Sequence, residues 1–438
     1  MQHDFLDRLC EAVRRPVLIG GAEQRRLITR AVTDTLGVAA AGFVEPVTRN
    51  FMVAYGGEGP RAWSGEACES AEAAVMVNAV AAHALDFDDV YLESMAHIST
   101  VLLPAVLRAS GDDPEDVLTA FAAGLIAAKA VARRVGQGHY RKGWHGTGTI
   151  GAFAAAAAVG RLDGLDHGQM ANAFALAAAM SGGLQVNFST QAKPAHAGFA
   201  AVAGTRAARL ARAGVNGSRE IFSQRGYPGL YGIGDGEEEP GDDAFDLRPD
   251  LISVKLFPSC YAGHRIVGIA LDARDAVGEA LSGGDFRYRL SVPAGSITAL
   301  KYDRPANGLE AKFSAAFPFA VAVVDGPPTL DSFTDTAVKR ADVAAVMERL
   351  DIVEDQSQPS GGDIEFGKVE LTVSSPSRPP ETFTRAALPG SPQDAPRLDA
   401  LQAKLNTCIG TFEAWSGRPF PILEQAADLG INDWLGRN

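Results

Sequence analysis

The sequence predicts a mainly α protein in which a large all-helical domain carries an inserted, smaller α+β domain. Between Arg25 and about Phe222, apolar residues recur three and four positions apart, which is the period of an amphipathic helix. After the acidic, glycine-rich stretch YGIGDGEEEPGDD, β-branched residues begin to alternate with polar ones, as in strands. The last stretch, RLDALQAKLNTCIGTF, is helical again. The predicted helical domain therefore comprises residues 1–253 and 390–438, and the α+β domain comprises residues 254–389.

The individual elements follow from the same periodicities and from turn residues. Pro114 with two acids after it is a favourable helix start, and Gly214 is a plausible helix stop. The many alanines of this domain predict closely packed helices. The predicted helices of the first domain are AEQRRLITRAVTDTLGVAAAG, SAEAAVMVNAVAAHALDFDDV, PEDVLTAFAAGLIAAKAVARRV, GTIGAFAAAAAVGRLDGL, GQMANAFALAAAM and HAGFAAVAGTRAARLARAG. In the second domain we expect strands in LISVKLFPS, YRLSVPAGSITALKY and DIEFGKVELTVSS, helices in HRIVGIALDARDAVGEAL and FSAAFPFAVAVVDG, and loops in VEDQSQPSGGD and SSPSRPPET.

The bulk properties limit the possible partners. A chain of 438 residues favours two domains, and its net charge of −13 without a Lys/Arg run argues against nucleic acid as a partner. A few cations in one cleft could still attract a small anion. The four cysteines are scattered, which favours reduced thiols over a disulfide framework, a zinc site or an iron–sulfur cluster. No signal peptide or membrane segment is visible, so we expect a cytoplasmic protein without a membrane partner.

The stretch GWHGTGTIGAF has glycines at the G-x-G-x-x-G spacing of a dinucleotide-binding loop. Such a loop needs a buried strand before it and an acid at the end of a second strand about twenty residues later. Neither is present, because RVGQGHYRKGW precedes it and the next acids stand in the turn-like RLDGLDHG. We therefore interpret the stretch as a closely packed helix start that Thr147 or Thr149 caps. His145 would precede the helix and either help to bind an anion or simply pack beside Trp144.

The segment HALDFDDV places three acids within four positions. Interpreted as a helix, it puts His83, Asp86 and Val90 on one face and Asp89 next to Asp86. An aspartate-rich Mg²⁺ site, as in helical terpenoid synthases, would need a second acidic cluster, which we do not find. We expect Asp88 to be a solvated acid at the helix end, and Asp86 to be partly buried, where a carboxyl group can serve in proton transfer.

Further candidates stand in short motifs along the chain. His97 follows in a loop, within MAHIST. Lys193 lies just before a helix expected to start near His196, with Pro194 ending the lysine's own segment, and its apolar neighbourhood indicates a fixed cation. Cys260 is expected to be a small packed residue rather than a nucleophile. The segments VKLFPSCYAGHR and KYDRP add Lys255, His264, Arg265, Tyr302 and Arg304.

Taken together and in order, five of these segments resemble the successive motifs of the MmgE/PrpD family. They are HALDFDDV, GWHGTGTIGAFAAAAAVGRLDGLD, AKPAHAGFAAVAGTRAARLA, VKLFPSCYAGHR and LEAKFSAAFPFAVAVVDG. The family includes 2-methylcitrate dehydratase, cis-aconitate decarboxylase and iminodisuccinate epimerase. The resemblance implies a helical domain, an α+β lid domain, a homodimer, an active site in the cleft between the domains, and no redox cofactor, iron–sulfur cluster or metal.

The resemblance also implies which residues act. Carried over motif by motif, the catalytic set is Asp86, His97, His145, Lys193, His264 and Tyr302. Lys255, Arg265 and Arg304 are the expected substrate-binding cations. Three departures count against a decarboxylase: Val90 stands where cis-aconitate decarboxylase has a threonine, Ile98 stands where many members have proline, and the spacing from Asp86 to His97 is one residue longer.

The expected substrate is a small di- or tricarboxylate, and the shared chemical difficulty is a carbanion next to a carboxylate. Fixed cations and hydrogen-bond donors in a water-poor site can stabilise that charge. His145, Lys193 and His264 are expected to supply it, while a histidine or Asp86 moves the proton. The sequence favours a cofactor-independent hydro-lyase of the 2-methylcitrate dehydratase type. An epimerase or racemase of an amino- or imino-dicarboxylate, a decarboxylase and a catalytically silent carboxylate-binding dimer are the alternatives.

Overall fold

The fold is that of a computed structural model, which describes residues 4–107, 112–232, 239–248, 250–361 and 363–436. Helices dominate its regular structure, so the prediction of a mainly α protein is confirmed. The described α-helices are, in chain order, α1 (Asp4–Arg14), α2 (Ala22–Gly42), α3 (Pro46–Tyr55), α4 (Ala71–His83), α5 (Ser99–Val106), α6 (Pro114–Val135), α7 (Gly138–Arg141), α8 (Gly146–Leu162), α9 (His167–Met180), α10 (Ala192–Arg212), α11 (Tyr227–Tyr231), α12 (His264–Val277), α13 (Gly308–Ala311), α14 (Ala316–Val324), α15 (Ala341–Met347), α16 (Leu398–Ser416), α17 (Ile422–Gln425) and α18 (Asn432–Leu435).

The described strands are few and short. They are β1 (Gly56–Arg61), β2 (Ala67–Cys68), β3 (Val90–Tyr91), β4 (Ile252–Ser253), β5 (Arg287–Ala294), β6 (Leu350–Pro359), β7 (Val369–Ser375) and β8 (Arg378–Arg385). The chain divides into two compact units. The helical unit consists of Met1–Asn187, Gln191–Ser253 and Arg397–Asn438, and the α+β unit consists of Phe188–Thr190 and Val254–Pro396.

Small residues set the packing of the helical unit. α8 and α10 lie against each other, and a Cβ atom on Gly204 would stand only 2.5 Å from the backbone nitrogen of Ala156. A Cβ atom on Gly198 would meet the sulfur of Met76 on α4 at the same distance. Such spacing leaves no room for larger side chains, so the alanine-rich sequence produces the close packing that it predicts.

The helix bounds in this unit follow local signals. α2 has the same bounds as the predicted segment AEQRRLITRAVTDTLGVAAAG, and α6 begins at Pro114 as expected. The Asp113 side chain accepts a hydrogen bond from the backbone nitrogen of Glu115 at 2.8 Å, which caps α6. α9 starts with a reciprocal capping box between Asp166 and Gln169.

The α+β unit contains a four-stranded sheet in the order β6-β5-β7-β8. β5 pairs parallel with β6, and the other pairs are antiparallel. A parallel pair needs a long crossover, which the segment containing α13, α14 and α15 supplies. The predicted helices HRIVGIALDARDAVGEAL and FSAAFPFAVAVVDG contain α12 and α14, and α12 packs against β7 and β8.

Two loop predictions and one strand prediction need correction. Most of the predicted loop VEDQSQPSGGD lies in β6, and much of SSPSRPPET lies in β8. Both are edge strands, where polar residues and prolines are tolerated because one side of the backbone needs no partner strand. In LISVKLFPS only Ile252–Ser253 forms a strand, and it pairs with β3 inside the helical unit.

In the described part of the chain, no single helix is long and apolar enough to cross a membrane. α2 and α3 pass that test of length and composition only as a pair, bent by 85° at the break between them. Most of α2 is buried in the protein core.

Candidate active-site residues of the two units

The segment after α4 carries three acids into the interior of the helical unit. α4 ends at His83, and Asp86 takes a left-handed conformation with φ 54°. Asp86, Asp88 and Asp89 are 4%, 0% and 1% exposed. The prediction of a continuous helical face from His83 to Val90 is therefore wrong, and so is the prediction of a solvated Asp88. Both predictions assumed a helix through these acids, whereas α4 ends before them.

Lys193 stands opposite Asp86. The Lys193 Nζ atom lies 2.9 Å from Asp86 Oδ1, and both side chains are buried. The predicted fixed cation is therefore present in this unit and has a carboxylate partner. α10 begins at Ala192, so Lys193 and Pro194 both lie in its first turn, rather than before a helix that starts near His196. Proline is acceptable there because the first turn leaves backbone N–H groups without a helical acceptor.

His97 is held between the acidic segment and α8. Its Nδ1 atom lies 2.7 Å from Asp88 Oδ2 and 3.0 Å from the carbonyl oxygen of Asp89. Its backbone nitrogen donates to the hydroxyl of Thr147 at 2.9 Å. The Nε2 atom of His97 lies 3.9 Å from Asp86 Oδ1. As predicted, His97 lies in a loop, just before α5.

Asp88 also contacts a second imidazole. Both of its oxygens lie 3.1 Å from Nδ1 of His83, and the His83 and His97 rings are 4.4 Å apart, centroid to centroid. The two imidazoles hold the pKa of Asp88 well below its usual range, although burial acts in the opposite direction. Burial lowers the pKa of His83 to about 3, against the attraction of Asp88. We therefore describe Asp88 as a carboxylate that accepts from two imidazole N–H groups.

His145 is the residue immediately before α8, as predicted, and is 1% exposed. Its Nδ1 atom lies 2.9 Å from Nδ1 of His196, so one ring donates and the other accepts. Burial, and after it the charge of Lys193, lowers the pKa of His145 well below its usual value. Burial also lowers the pKa of His196, to about 4. A neutral His145 can donate or accept a hydrogen bond, whereas the fixed positive charge of this set resides on Lys193.

The threonines after His145 do not cap α8, in contrast to the prediction. The Thr147 hydroxyl accepts a hydrogen bond from the backbone nitrogen of His97, and the Thr149 hydroxyl lies 2.7 Å from Nε2 of His139. His139 donates from Nδ1 to the carbonyl oxygen of Tyr231, and burial lowers its pKa to about 4, so its Nε2 accepts from Thr149. The Thr149 hydroxyl also lies 3.1 Å from the carbonyl oxygen of His145, so neither threonine side chain accepts a hydrogen bond from the N–H groups of the helix start.

The glycines of the G-x-G-x-x-G stretch serve close packing. A Cβ atom on Gly146 would lie 2.6 Å from the carbonyl oxygen of Ser94, and one on Gly148 would lie 2.2 Å from that of Gly182. One on Gly151 would meet Val101 at 3.1 Å. These approaches explain the spacing without a nucleotide.

Two groups of described side chains bring potential metal ligands within 4.8 Å of one another. They are His83, His97 and His145, and Asp86, Asp88 and His97. In the second group, Asp86 binds an ammonium group and Asp88 accepts imidazole N–H groups. These contacts place positive or hydrogen-bearing groups where an ion bound to the Asp86–Asp88–His97 group would need lone pairs.

The α+β unit holds the remaining predicted residues. His264, at the start of α12, is 0% exposed and packs between the rings of Phe257 and Tyr261, at 5.0 and 4.8 Å. Lys255 is also buried, at 1% exposure. The Tyr302 hydroxyl lies 2.7 Å from the hydroxyl of Ser189.

The two arginines predicted to bind substrate have different surroundings in this unit. Arg265 is 3% exposed, and its guanidinium donates to the carbonyl oxygens of Ile364, Phe366 and Gly367. Arg265 thereby holds that loop in place, and a role of Arg265 in substrate binding stays a prediction. Arg304 is exposed at the surface of its unit. That the catalytic residues of the two units act together at one site stays a prediction.

Sequence reasoning did not assign a role to four residues that contact the predicted set. His83 and Asp88 stood in the segment HALDFDDV, and His196 stood in AKPAHAG, so their motifs were already singled out. Ser189, the partner of Tyr302, has a left-handed backbone with φ 66° and carried no sequence signal. For each of these residues, the sequence did not reveal which side chain it contacts.

The order of these motifs agrees with a comparison against known families. Residues 21–236 match the MmgE/PrpD N-terminal domain, and residues 257–414 match the MmgE/PrpD C-terminal domain. The chain belongs to the MmgE/PrpD family. The resemblance that the sequence motifs indicated is thereby confirmed.

Within the MmgE/PrpD family, the chain is similar to enzymes named cis-aconitate decarboxylase. It is 26% identical to that of Mus musculus over 68% of this chain and 64% of that enzyme. It is 25% identical to that of Homo sapiens over 74% of this chain and 71% of that enzyme. For Aspergillus terreus the identity is 27% over 60% of this chain and 59% of that enzyme. The matches thus span less than two thirds of the mouse and fungal relatives.

Proposed function

We propose that this protein is a lyase that acts on a small di- or tricarboxylate by proton transfer next to a carboxylate, and that the reaction is a dehydration of the 2-methylcitrate dehydratase type. The observation that carries the proposal is the buried set Asp86, His97, His145 and Lys193, in a chain of the MmgE/PrpD family. A proton-transfer group, a fixed cation and a neutral donor within one water-poor region are what a carbanion next to a carboxylate requires.

We assign the roles from the contacts. His97 takes the substrate proton on Nε2, because its Nδ1 faces two acceptors. Lys193 stabilises the negative charge that develops on the neighbouring carboxylate, and Asp86 holds the ammonium group in place. Dehydration then expels the β-hydroxyl group, which leaves as water after it receives a proton from a histidine or from Tyr302. The proton removed and the hydroxyl group lost together make one water molecule, so the step needs no oxidant or reductant.

Decarboxylation is the second candidate, and the names of the similar enzymes favour it. In that reaction the carbanion arises by loss of CO₂ and is then protonated. The side chain of Val90 counts against decarboxylation. Val90 is 1% exposed in β3 and offers no hydroxyl where cis-aconitate decarboxylase has a threonine.

The test is a panel of substrates incubated in D₂O and followed by proton NMR, with CO₂ measured in parallel. The panel contains 2-methylcitrate, cis-aconitate and iminodisuccinate. A new alkene without CO₂ supports the proposal, and CO₂ release supports the second candidate instead. Deuterium incorporation without loss of water or CO₂ contradicts both and identifies an epimerase.

Matched variants test the residues. His97→Gln and Lys193→Met should each abolish turnover. His167→Gln is the control, because His167 is a partly exposed residue at the start of α9 that contacts Asp7 at 3.5 Å. If the native protein binds panel members without turnover, and Asp86→Asn and His145→Ala leave binding intact, the chain is a silent carboxylate-binding protein and the proposal fails.

A further inference from the structure

We propose that Asp88 is a positioning residue that keeps both His97 and His83 in the tautomer with the hydrogen on Nδ1. Nε2 of His97 then carries the lone pair that takes the substrate proton. The assignment of His97 as the base rests on the proposed function. The tautomer assignment itself rests on contacts within the helical unit. No family resemblance assigned a role to Asp88, and the sequence predicted that it would be solvated.

His97 carries its hydrogen on Nδ1. Its Nδ1 atom faces the carboxylate of Asp88 at 2.7 Å and the carbonyl oxygen of Asp89 at 3.0 Å. Both atoms are acceptors, so Nδ1 must carry the hydrogen. In a neutral imidazole the other nitrogen is then unprotonated. Nε2 of His97 is therefore the basic atom, and it lies on the side of the ring that faces Asp86, at 3.9 Å from Oδ1.

His83 has the same tautomer. Its Nδ1 atom lies 3.1 Å from both oxygens of Asp88, which again are acceptors. Its Nε2 atom is buried without a hydrogen-bond partner among the described residues, as expected for the unprotonated nitrogen of a neutral ring. The lowered pKa of His83 agrees with that neutral state. Asp88 thus fixes the same tautomer in two rings at once.

Asp88 also balances the charge of a protonated His97. The two rings are only 4.4 Å apart and share one carboxylate, so the group can support one imidazolium but not two. Because His83 stays neutral, the negative charge of Asp88 is available to His97 when His97 takes a proton. A carboxylate behind a histidine acts in this way in hydrolytic triads, where it orients the ring and stabilises the imidazolium.

Backbone contacts hold Asp88 and His97 in a rigid arrangement. Asp88 lies in the short segment between α4 and β3, and β3 is paired with β4. The backbone nitrogen of His97 donates to the Thr147 hydroxyl, so the loop that carries the ring is fixed from a second side. The carboxylate and the ring are thereby held at a defined distance, which a positioning role requires.

The primary experiment reads the tautomer directly and does not depend on turnover. The chain has eight histidines, so selective ¹⁵N labelling gives eight imidazoles, and His97→Gln and His83→Gln assign the two of interest. In the native protein both should show a protonated Nδ1 and an unprotonated Nε2. A protonated Nε2 with an unprotonated Nδ1 on His97 overturns the inference, whether or not a substrate is turned over.

The second experiment is Asp88→Asn. An asparagine can accept from one ring, but its amide group must donate to the other, so at least one imidazole should change tautomer. We expect kcat to fall by about 10²–10⁴-fold with little change in KM, as for loss of tautomer control in a triad. The acid limb of the pH profile of kcat/KM should move to lower pH, because an imidazolium at His97 loses its counter-ion.

The control is Glu66→Gln, since Glu66 is a partly buried carboxylate of the same unit that pairs with Arg49 at 2.6 Å, away from the two imidazoles. It should cost stability and leave the tautomers and the pH profile unchanged. Equal effects of both variants would show a purely structural role for Asp88 and overturn the inference. The expected tautomers together with a silent substrate panel would instead contradict the proposed function alone.

Discussion

Lys193 and Asp86 form an ion pair inside the helical unit, with 2.9 Å between Nζ and Oδ1 and with 6% of each side chain exposed. A charge that is buried without its partner is costly, so Lys193→Met should destabilise the protein by about 3–5 kcal/mol. The double variant with Asp86→Asn should regain much of this stability and none of the turnover. Urea denaturation and steady-state assays measure the two effects separately.

A surface ion pair on the same helix provides the control. Arg206 pairs with Glu72 at 2.8 Å while its side chain is half exposed, so Arg206→Met should cost less than about 1 kcal/mol. Comparable losses for the Lys193 and Arg206 variants would contradict the burial argument.

Asp89 should give the folding stability an unusual pH dependence. Burial raises the pKa of Asp89 to about 8, although its hydrogen bond from Ser99 acts in the opposite direction. An unfolded aspartate has a pKa of about 3.9. Between these values the folded state holds a proton that the unfolded state lacks, so this group's contribution to stability is lost as the pH rises, by about 1.4 kcal/mol per pH unit.

Asp89→Asn removes this titration and mimics the protonated form. From pH 5 to pH 8, the free energy of unfolding of the native protein should therefore fall relative to that of the variant. Asp285→Asn, at an exposed position of the α+β unit, should track the native protein over the same range. Parallel curves for native protein and the Asp89 variant would show that Asp89 is already ionised at pH 5.

Chelation should leave turnover intact. Lys193 binds Asp86, and imidazole N–H groups bind Asp88, so these carboxylates already have partners without an ion. Dialysis against EDTA, followed by metal analysis and assay, checks this. Loss of activity that one divalent metal restores would show that the three-histidine or the Asp–Asp–His group is a working metal site.

The glycine-rich first turn of α8 should fail to tolerate even one methyl group at Gly148. Gly148→Ala would place Cβ 2.2 Å from the carbonyl oxygen of Gly182, and backbone must move to relieve this, at a cost of about 1–3 kcal/mol or more. Gly182→Ala is the matched control, because its Cβ would meet nothing within 4 Å. Thermal unfolding measures both variants. Tight binding of NAD by the native protein would contradict the packing explanation.

The sequence by itself determined the mainly α character, the main helices and the family. These depend on local information: α2 and α6 follow from helical periodicity, and α6 also from a proline and an aspartate at its start. The edge strands β6 and β8 were not predicted, since they are polar or contain prolines and resemble loops in composition. The motifs also predicted Asp86, His97, His145 and Lys193 as candidate site residues without information on their contacts.

Only the tertiary structure decided what these residues touch. The left-handed turn at Asp86 carries Asp88 into the interior, where it bridges His83 and His97. The Thr147 hydroxyl serves His97, fifty positions earlier in the chain, instead of capping its own helix. Periodicity and capping rules describe near neighbours along the chain, whereas a shared carboxylate depends on segments that meet only when the helices pack. The tautomer of His97 follows from that packing.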